Sequence, residues 1–292
     1  MAVEIGIQLY SVRNALRTDP GGTLNALADL GFTRFEGANH QALTDDGIGF
    51  GIAPGFLRDL MQERGVSIVG CHINPLDLDR LPRVLDFHQQ IGNPRIGCDI
   101  EFYPYGDVDY VKRRAEFFNS VGRLAADRGM EFYYHNHFQE FQRFGDATVY
   151  QLLMDHTDPE LVHFELDTYW AYRGGADPIE LFRAYPDRFI LIHQKDYPKD
   201  ATQPLNLYDG IVAPDATITM ELFQEVVTPD AFAEVGTGIL PIQDIIDAVD
   251  PLPNFRYVLL EQDYAPGPEL DSVKVSRDAF IGYRNVAVGT FS

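Results

Sequence analysis

Short apolar runs alternate with longer stretches of helical periodicity along the whole 292-residue chain. Eight runs read as strands: 4–10, 34–37, 67–72, 95–99, 131–137, 162–167, 189–193 and 257–261. Between them, apolar residues at three- and four-residue spacing predict helices over about 22–30, 54–64, 78–91, 108–128, 147–156, a short one opened by Pro178, 242–249 and 272–283. Gly31, Gly65, Gly92 and Gly129 stand just after four of these stretches, where a helix stops. Eight strand–helix units in one chain predict a single (β/α)8 barrel, an α/β domain spanning 1–292 without linker or short-period repeat. A doubly wound dinucleotide fold is disfavoured, because no Gly-x-Gly-x-x-Gly turn follows the first strand. Segment 197–233 is longer than an ordinary connection and predicts a lid over the barrel mouth or a subunit contact in a homo-oligomer.

Charge narrows the choice of function. The chain carries 44 Asp and Glu against 23 Lys and Arg, a formal net charge of -21, which disfavours a nucleic-acid partner because such a surface repels phosphates. Only four of the basic residues are Lys: Lys112, Lys195, Lys199 and Lys274. Short acidic side chains hold water while few long apolar lysine stems are exposed, a composition expected of a protein working in a salt-rich, halophilic cytoplasm. Disorder is disfavoured by 20 Phe and 15 Tyr, which need a core. Two cysteines, Cys71 and Cys98, lie in strand-like runs and are expected as buried thiols. The start of the chain shows no signal-peptide pattern, and no apolar run approaches the ~18 residues of a membrane span, so a cytoplasmic protein without membrane contact is expected.

In a barrel of this kind the active site lies at the carboxyl ends of the strands. The third strand ends at His72, the fifth at His135-Asn136-His137, the sixth at Asp167, the seventh at His193-Gln194-Lys195-Asp196 and the eighth at Glu261-Gln262-Asp263. Barrel closure brings Asp167, His193 and Glu261 together, and two carboxylates with an imidazole suit Mn²⁺, Mg²⁺, Co²⁺ or Zn²⁺. Strand alternation puts His135 and His137 on one face, so either is a candidate fourth ligand. His40, His88, His156 and His163 are expected to have local or surface roles.

These segments resemble the sugar phosphate isomerase/epimerase-like proteins, which have a xylose isomerase-like TIM barrel. The resemblance runs over nearly the whole chain and rests on Tyr134-His135-Asn136-His137, Leu166-Asp167-Thr168-Tyr169-Trp170, His193-Gln194-Lys195-Asp196, Gly236-Thr237-Gly238 and Leu260-Glu261-Gln262-Asp263. It implies a divalent metal, often Mn²⁺, held by Asp167, His193, Glu261 and a strand-five ligand whose position matches His135. Many epimerases of this group have Glu on that strand. The imidazole here breaks the symmetry of paired carboxylates and is similar to the branch containing inosose dehydratase and related keto-sugar enzymes.

The chemistry expected is isomerisation or epimerisation of a sugar or keto-sugar, by proton abstraction next to a carbonyl through a metal-stabilised enediolate. Dehydration of an inosose or other cyclitol on the same scaffold, or a non-catalytic sugar-binding barrel, is the alternative. Glu261, His135 and His137 are candidate acids and bases, and Lys195 is a candidate charge for a substrate oxygen, or the partner of a nearby carboxylate. Substrate contacts are expected from His72, Tyr10, Trp170 as an aromatic wall, and Glu234 reaching in from the long segment. A phosphodiester-cleaving enzyme similar to endonuclease IV is disfavoured by the charge and the small number of ligands.

Overall fold

Each of the eight apolar runs forms a strand in the computed structural model, which describes residues 2–289. The strands are β1 (Val3–Gln8), β2 (Arg34–Asn39), β3 (Ser67–Ile73), β4 (Arg95–Cys98), β5 (Glu131–His135), β6 (Val162–Asp167), β7 (Phe189–Gln194) and β8 (Tyr257–Leu260). All are parallel and pair in chain order, and β8 returns to β1 with Glu4 opposite Tyr257 and Ile7 opposite Leu260, closing the barrel. A further strand, Val286–Val288, pairs with the start of β1.

Helices cover the outside. Pro54–Arg64, Val108–Ala126, Val149–His156, Pro178–Ala184, Ile242–Val249 and Glu269–Gly282 follow the periodicity of the sequence, with ends differing by up to three residues. Outward-facing strand residues such as Ile5, Ile7, Phe35, Ile192 and Val258 pack beneath them in one continuous apolar layer. Cys71 and Cys98 are buried and unpaired, as expected. Among the described residues, no helix is long and apolar enough to cross a membrane.

The barrel interior is less apolar than the outer layer. Tyr133 lies across it, and the ring needs glycine opposite: a Cβ on Gly97 would stand 2.2 Å from Tyr133 Cε2, and one on Gly70 would stand 2.7 Å from its hydroxyl. That hydroxyl donates to Glu36, so the cleared space brings a phenol to a buried carboxylate directly below the mouth.

The long segment 197–233 contains a helix that the sequence periodicity does not predict. Thr219 caps a seven-residue helix, Met220–Val226, by accepting from the N–H of Leu222. Seven residues are too few for a periodic signal, which is why the pattern did not show it.

Candidate metal and substrate site

Asp167 ends β6 and starts the helix Thr168–Arg173, where its Oδ1 accepts from the N–H of Trp170 at 2.8 Å. The cap fixes the carboxylate and leaves Oδ2 facing inward. The β6–β7 register sets His193 beside it, with Nδ1 4.0 Å from Asp167 Oδ2 and 2.7 Å from Glu261 Oε2. His135, at the end of β5, places Nε2 3.6 Å from Asp167 Oδ2. One donor atom from each of His135, Asp167, His193 and Glu261 lies within 4.8 Å of the others, and all four side chains are buried.

This donor set fits a divalent cation. The Nδ1 of His135 is 2.9 Å from the Asp99 carbonyl oxygen, which only accepts, so Nδ1 bears the proton and a neutral ring has its lone pair on Nε2. That buried Nε2 has no hydrogen-bond partner and faces a carboxylate oxygen. A cation between them would satisfy both. His137 lies beyond the end of β5 and does not join the set, so of the two strand-five candidates it is His135 that stands with the other donors.

Lys195 occupies the centre of the same charges. Its Nζ is 2.5 Å from both Asp167 Oδ2 and Glu261 Oε2 and 3.6 Å from Asp263. Burial disfavours the ammonium, but Asp167, Asp263 and Glu261 outweigh that cost and raise its pKa well above the usual value. The reciprocal effect keeps Asp167 and Glu261 ionised: burial pushes both upward, and Lys195 with the histidines pulls them below the usual range. Asp263 differs. Burial, Glu261 and Asp167 prevail over Lys195 and push it up to about 7.

A cavity of about 440 Å³ opens over this charge cluster. His72, His135, Glu261 and Asp263 line one part, while Trp170, Phe223, Met220 and Val227 form an apolar wall. Asp167, His193 and Lys195 lie just behind the lining. The wall includes the short helix of the long segment. Trp170 is buried, with Lys195 Nζ 5.6 Å from its ring centre. Tyr10 stands between the Arg13 guanidinium, 4.1 Å from its ring centre, and the ring of His40 at 5.3 Å.

His137 packs against Trp170 and Phe223. Burial, reinforced by His135 and Lys195, lowers its pKa well below the usual value, so it is an uncharged imidazole, and its buried Nδ1 has no partner. His72 sits lower, with Nε2 2.7 Å from Glu165.

One expectation is corrected. Glu234 does not reach the cavity: its Oε1 accepts from the Ser272 hydroxyl, which holds it against the C-terminal helix Glu269–Gly282. His40 is exposed, as expected of a surface residue, and it lines the mouth 3.4 Å from Asp99.

The sequence reading missed Glu36, Asp99, Glu165 and Asp263 as site residues. Glu165 had a signal, since it lies two residues before Asp167 and therefore on the same face of β6. Asp99 and Glu36 had a weaker one, at the end of β4 and within β2. The Gly236-Thr237-Gly238 segment proves to be architectural: Asp196 Oδ2 accepts from the N–H groups of Gly236 and Gly238, and Oδ1 from those of Tyr197 and Leu240. A Cβ on Gly238 would stand 2.3 Å from Asp196 Oδ1.

Comparisons with known proteins agree with this architecture. A family model described as the xylose isomerase-like TIM barrel matches residues 24–278. An inosose dehydratase of Clostridium beijerinckii is 32% identical over 108 residues, 36% of this chain and 34% of that protein. The alignment thus spans about a third of the length of that curated relative. A sugar phosphate isomerase/epimerase structure from Parabacteroides distasonis superposes with a TM-score of 0.72 at 23% identity, covering 98% of this chain and 96% of that one. The structure of the IOLI protein with a bound zinc atom superposes at 0.68 with 10% identity, covering 97% of each chain. At these identities, the two structural likenesses establish the fold.

Proposed function

The chain belongs to the xylose isomerase-like TIM barrel family, and from that membership and the site we propose that it is a divalent-metal-dependent lyase that dehydrates a cyclic keto-polyol of the inosose type. The observation that carries the reading is a pair of unlike groups on one cavity. His137 is held uncharged, while Asp263 is pushed up to about 7 and so stays partly protonated at neutral pH. Environments that separate two protonation states in this way assign a base and an acid. An epimerase needs matched groups on the two faces of one carbon. A dehydratase needs one group to take a proton and another to give one to a leaving hydroxyl. The match to inosose dehydratases supports the same choice over the isomerase or epimerase expected from the fold resemblance.

His135, Asp167, His193 and Glu261 would hold the cation, with Mn²⁺ and Zn²⁺ both suited to these donors. Bound there, it would polarise the substrate carbonyl and stabilise negative charge as the adjacent proton leaves. His137 accepts that proton on its uncharged imidazole. Asp263 gives its proton to the departing hydroxyl, the C–O bond breaks, and water leaves. The proton on His137 then returns to Asp263 through solvent in the cavity. Lys195 fixes Asp167 and Glu261, and the Trp170–Phe223 wall packs against the C–H face of the ring.

The test is incubation of Mn²⁺-loaded protein with a panel of inososes and keto-sugars in D₂O, followed by mass spectrometry. Loss of one water from an inosose supports the reading. Deuterium incorporation at constant composition would instead establish isomerase or epimerase chemistry, and neither change on any member of the panel would reject catalysis of this kind.

A further inference from the structure

Below the mouth, the barrel interior brings together a second set of ligating side chains, of which the proposed reaction uses only His193. Glu36 of β2, His72 of β3, Glu165 of β6 and the Nε2 edge of His193 are all buried, with one donor atom from each within 4.8 Å of the others. His193 Nε2 is 2.6 Å from Glu36 Oε2 and 3.1 Å from Glu165 Oε1. His72 Nε2 is 2.7 Å from Glu165 Oε2 and 3.4 Å from Glu36 Oε1. Tetrahedral ligand bonds of about 2.0–2.2 Å separate donor atoms by roughly 3.3–3.6 Å. Of these four contacts, which involve both oxygens of each glutamate, two are near that spacing already and two need to open by less than ~1 Å.

The groups behind these donors are arranged as a metal site requires. Asp99 Oδ1 lies 3.3 Å from His72 Nδ1, which orients the ring and directs Nε2 inward. Gln8 Nε2 donates to Glu36 Oε2 at 2.9 Å, and the Tyr133 hydroxyl donates to Glu36 Oε1. Glu165 Oε1 is buried and makes no hydrogen bond. Fixing the tautomer of one histidine takes a single acceptor, as the Asp99 carbonyl shows for His135. Two glutamates and a second histidine exceed that need.

We propose that Glu36, His72, Glu165 and His193 Nε2 form a second divalent-cation site inside the barrel, suited to Zn²⁺ or Mn²⁺. His193 would serve the upper donors through Nδ1 and the lower ones through Nε2, releasing both ring protons to solvent when both cations are bound. His72 lines the cavity, so the lower site opens onto the same solvent. The inference shares His193 with the proposed reaction but does not depend on the upper site being filled.

The decisive measurement is anomalous diffraction at the zinc edge from crystals of the full chain loaded with Zn²⁺. The expected result is a peak among Glu36, His72, Glu165 and His193. No peak there, with one among His135, Asp167 and Glu261, overturns the second site alone; no peak at either place overturns both. Metal analysis adds an independent readout. The wild type is expected to hold two Zn²⁺ per chain, and the double variants Glu36→Gln/Glu165→Gln and Asp167→Asn/Glu261→Gln one each. A glutamine pair that folds, as judged by circular dichroism, and binds as much Zn²⁺ as the wild type rejects the lower site.

Discussion

The Nζ of Lys195 lies 2.5 Å from Asp167 Oδ2, inside a barrel mouth where that same oxygen is a candidate metal ligand. An ammonium and a metal ion would therefore compete for, or share, one set of carboxylates. Lys195→Met removes the cation while keeping much of the bulk. It leaves Asp167, Glu261 and Asp263 without their principal counter-charge, and breaking a buried pair from one side costs roughly 3–5 kcal/mol. Thermal melts of the metal-free variant should show that loss, and Mn²⁺ should raise its Tm more than that of the wild type. Equal metal-dependent shifts in the two proteins would reject the competition.

Asp167 has two duties that substitutions can separate. Asp167→Asn keeps an oxygen to cap Trp170, whereas Asp167→Ala loses the cap as well, at about 1 kcal/mol. Both variants should lose most of the metal bound by the upper site, and the alanine variant should be the less stable of the two in urea. Upper-site occupancy retained in both would remove Asp167 from the ligand set.

Burial raises Glu140 from its ordinary 4.5 to about 7, despite hydrogen bonds from the Tyr134 hydroxyl and the His137 N–H. Between those values the folded protein holds a proton that the unfolded chain has released. This contribution to stability is therefore full below about 4.5 and is lost as pH rises through about 7. Glu140→Gln cannot titrate. From pH 5 to pH 8 its stability relative to the wild type should improve by on the order of 3 kcal/mol in urea titrations. A constant difference between the two proteins would show that Glu140 does not titrate in this range.

Lys195 is buried, so the surface lysines among the described residues are Lys112, Lys199 and Lys274, set against a net charge of -21. We propose adaptation to high salt. Self-repulsion acts over about 10 Å at 0.1 M salt and about 3 Å at 1 M. Circular dichroism should show a loss of folded signal without added salt and a Tm that rises with KCl up to molar concentrations. Full folding in salt-free buffer would discard the proposal.

Local pattern along the chain was enough to predict the barrel and most of its rim. Period-two and period-3.6 patterns depend on local chain geometry, so the eight strands and the main outer helices followed from neighbouring residues. Asp167, His193 and Glu261 were legible because strand ends in a closed barrel share one mouth. Folding was needed to set His135 rather than His137 beside the other donors, since both lie on one face and the difference is where β5 stops and the Asp99 carbonyl begins to hold a ring. It also decided that Lys195 sits among carboxylates, that Glu234 turns to Ser272, and that Glu36 and Glu165 meet His72 and His193. Those contacts join residues up to 157 positions apart, and their outcome depends on side-chain direction and the room cleared around Tyr133, which no local periodicity encodes.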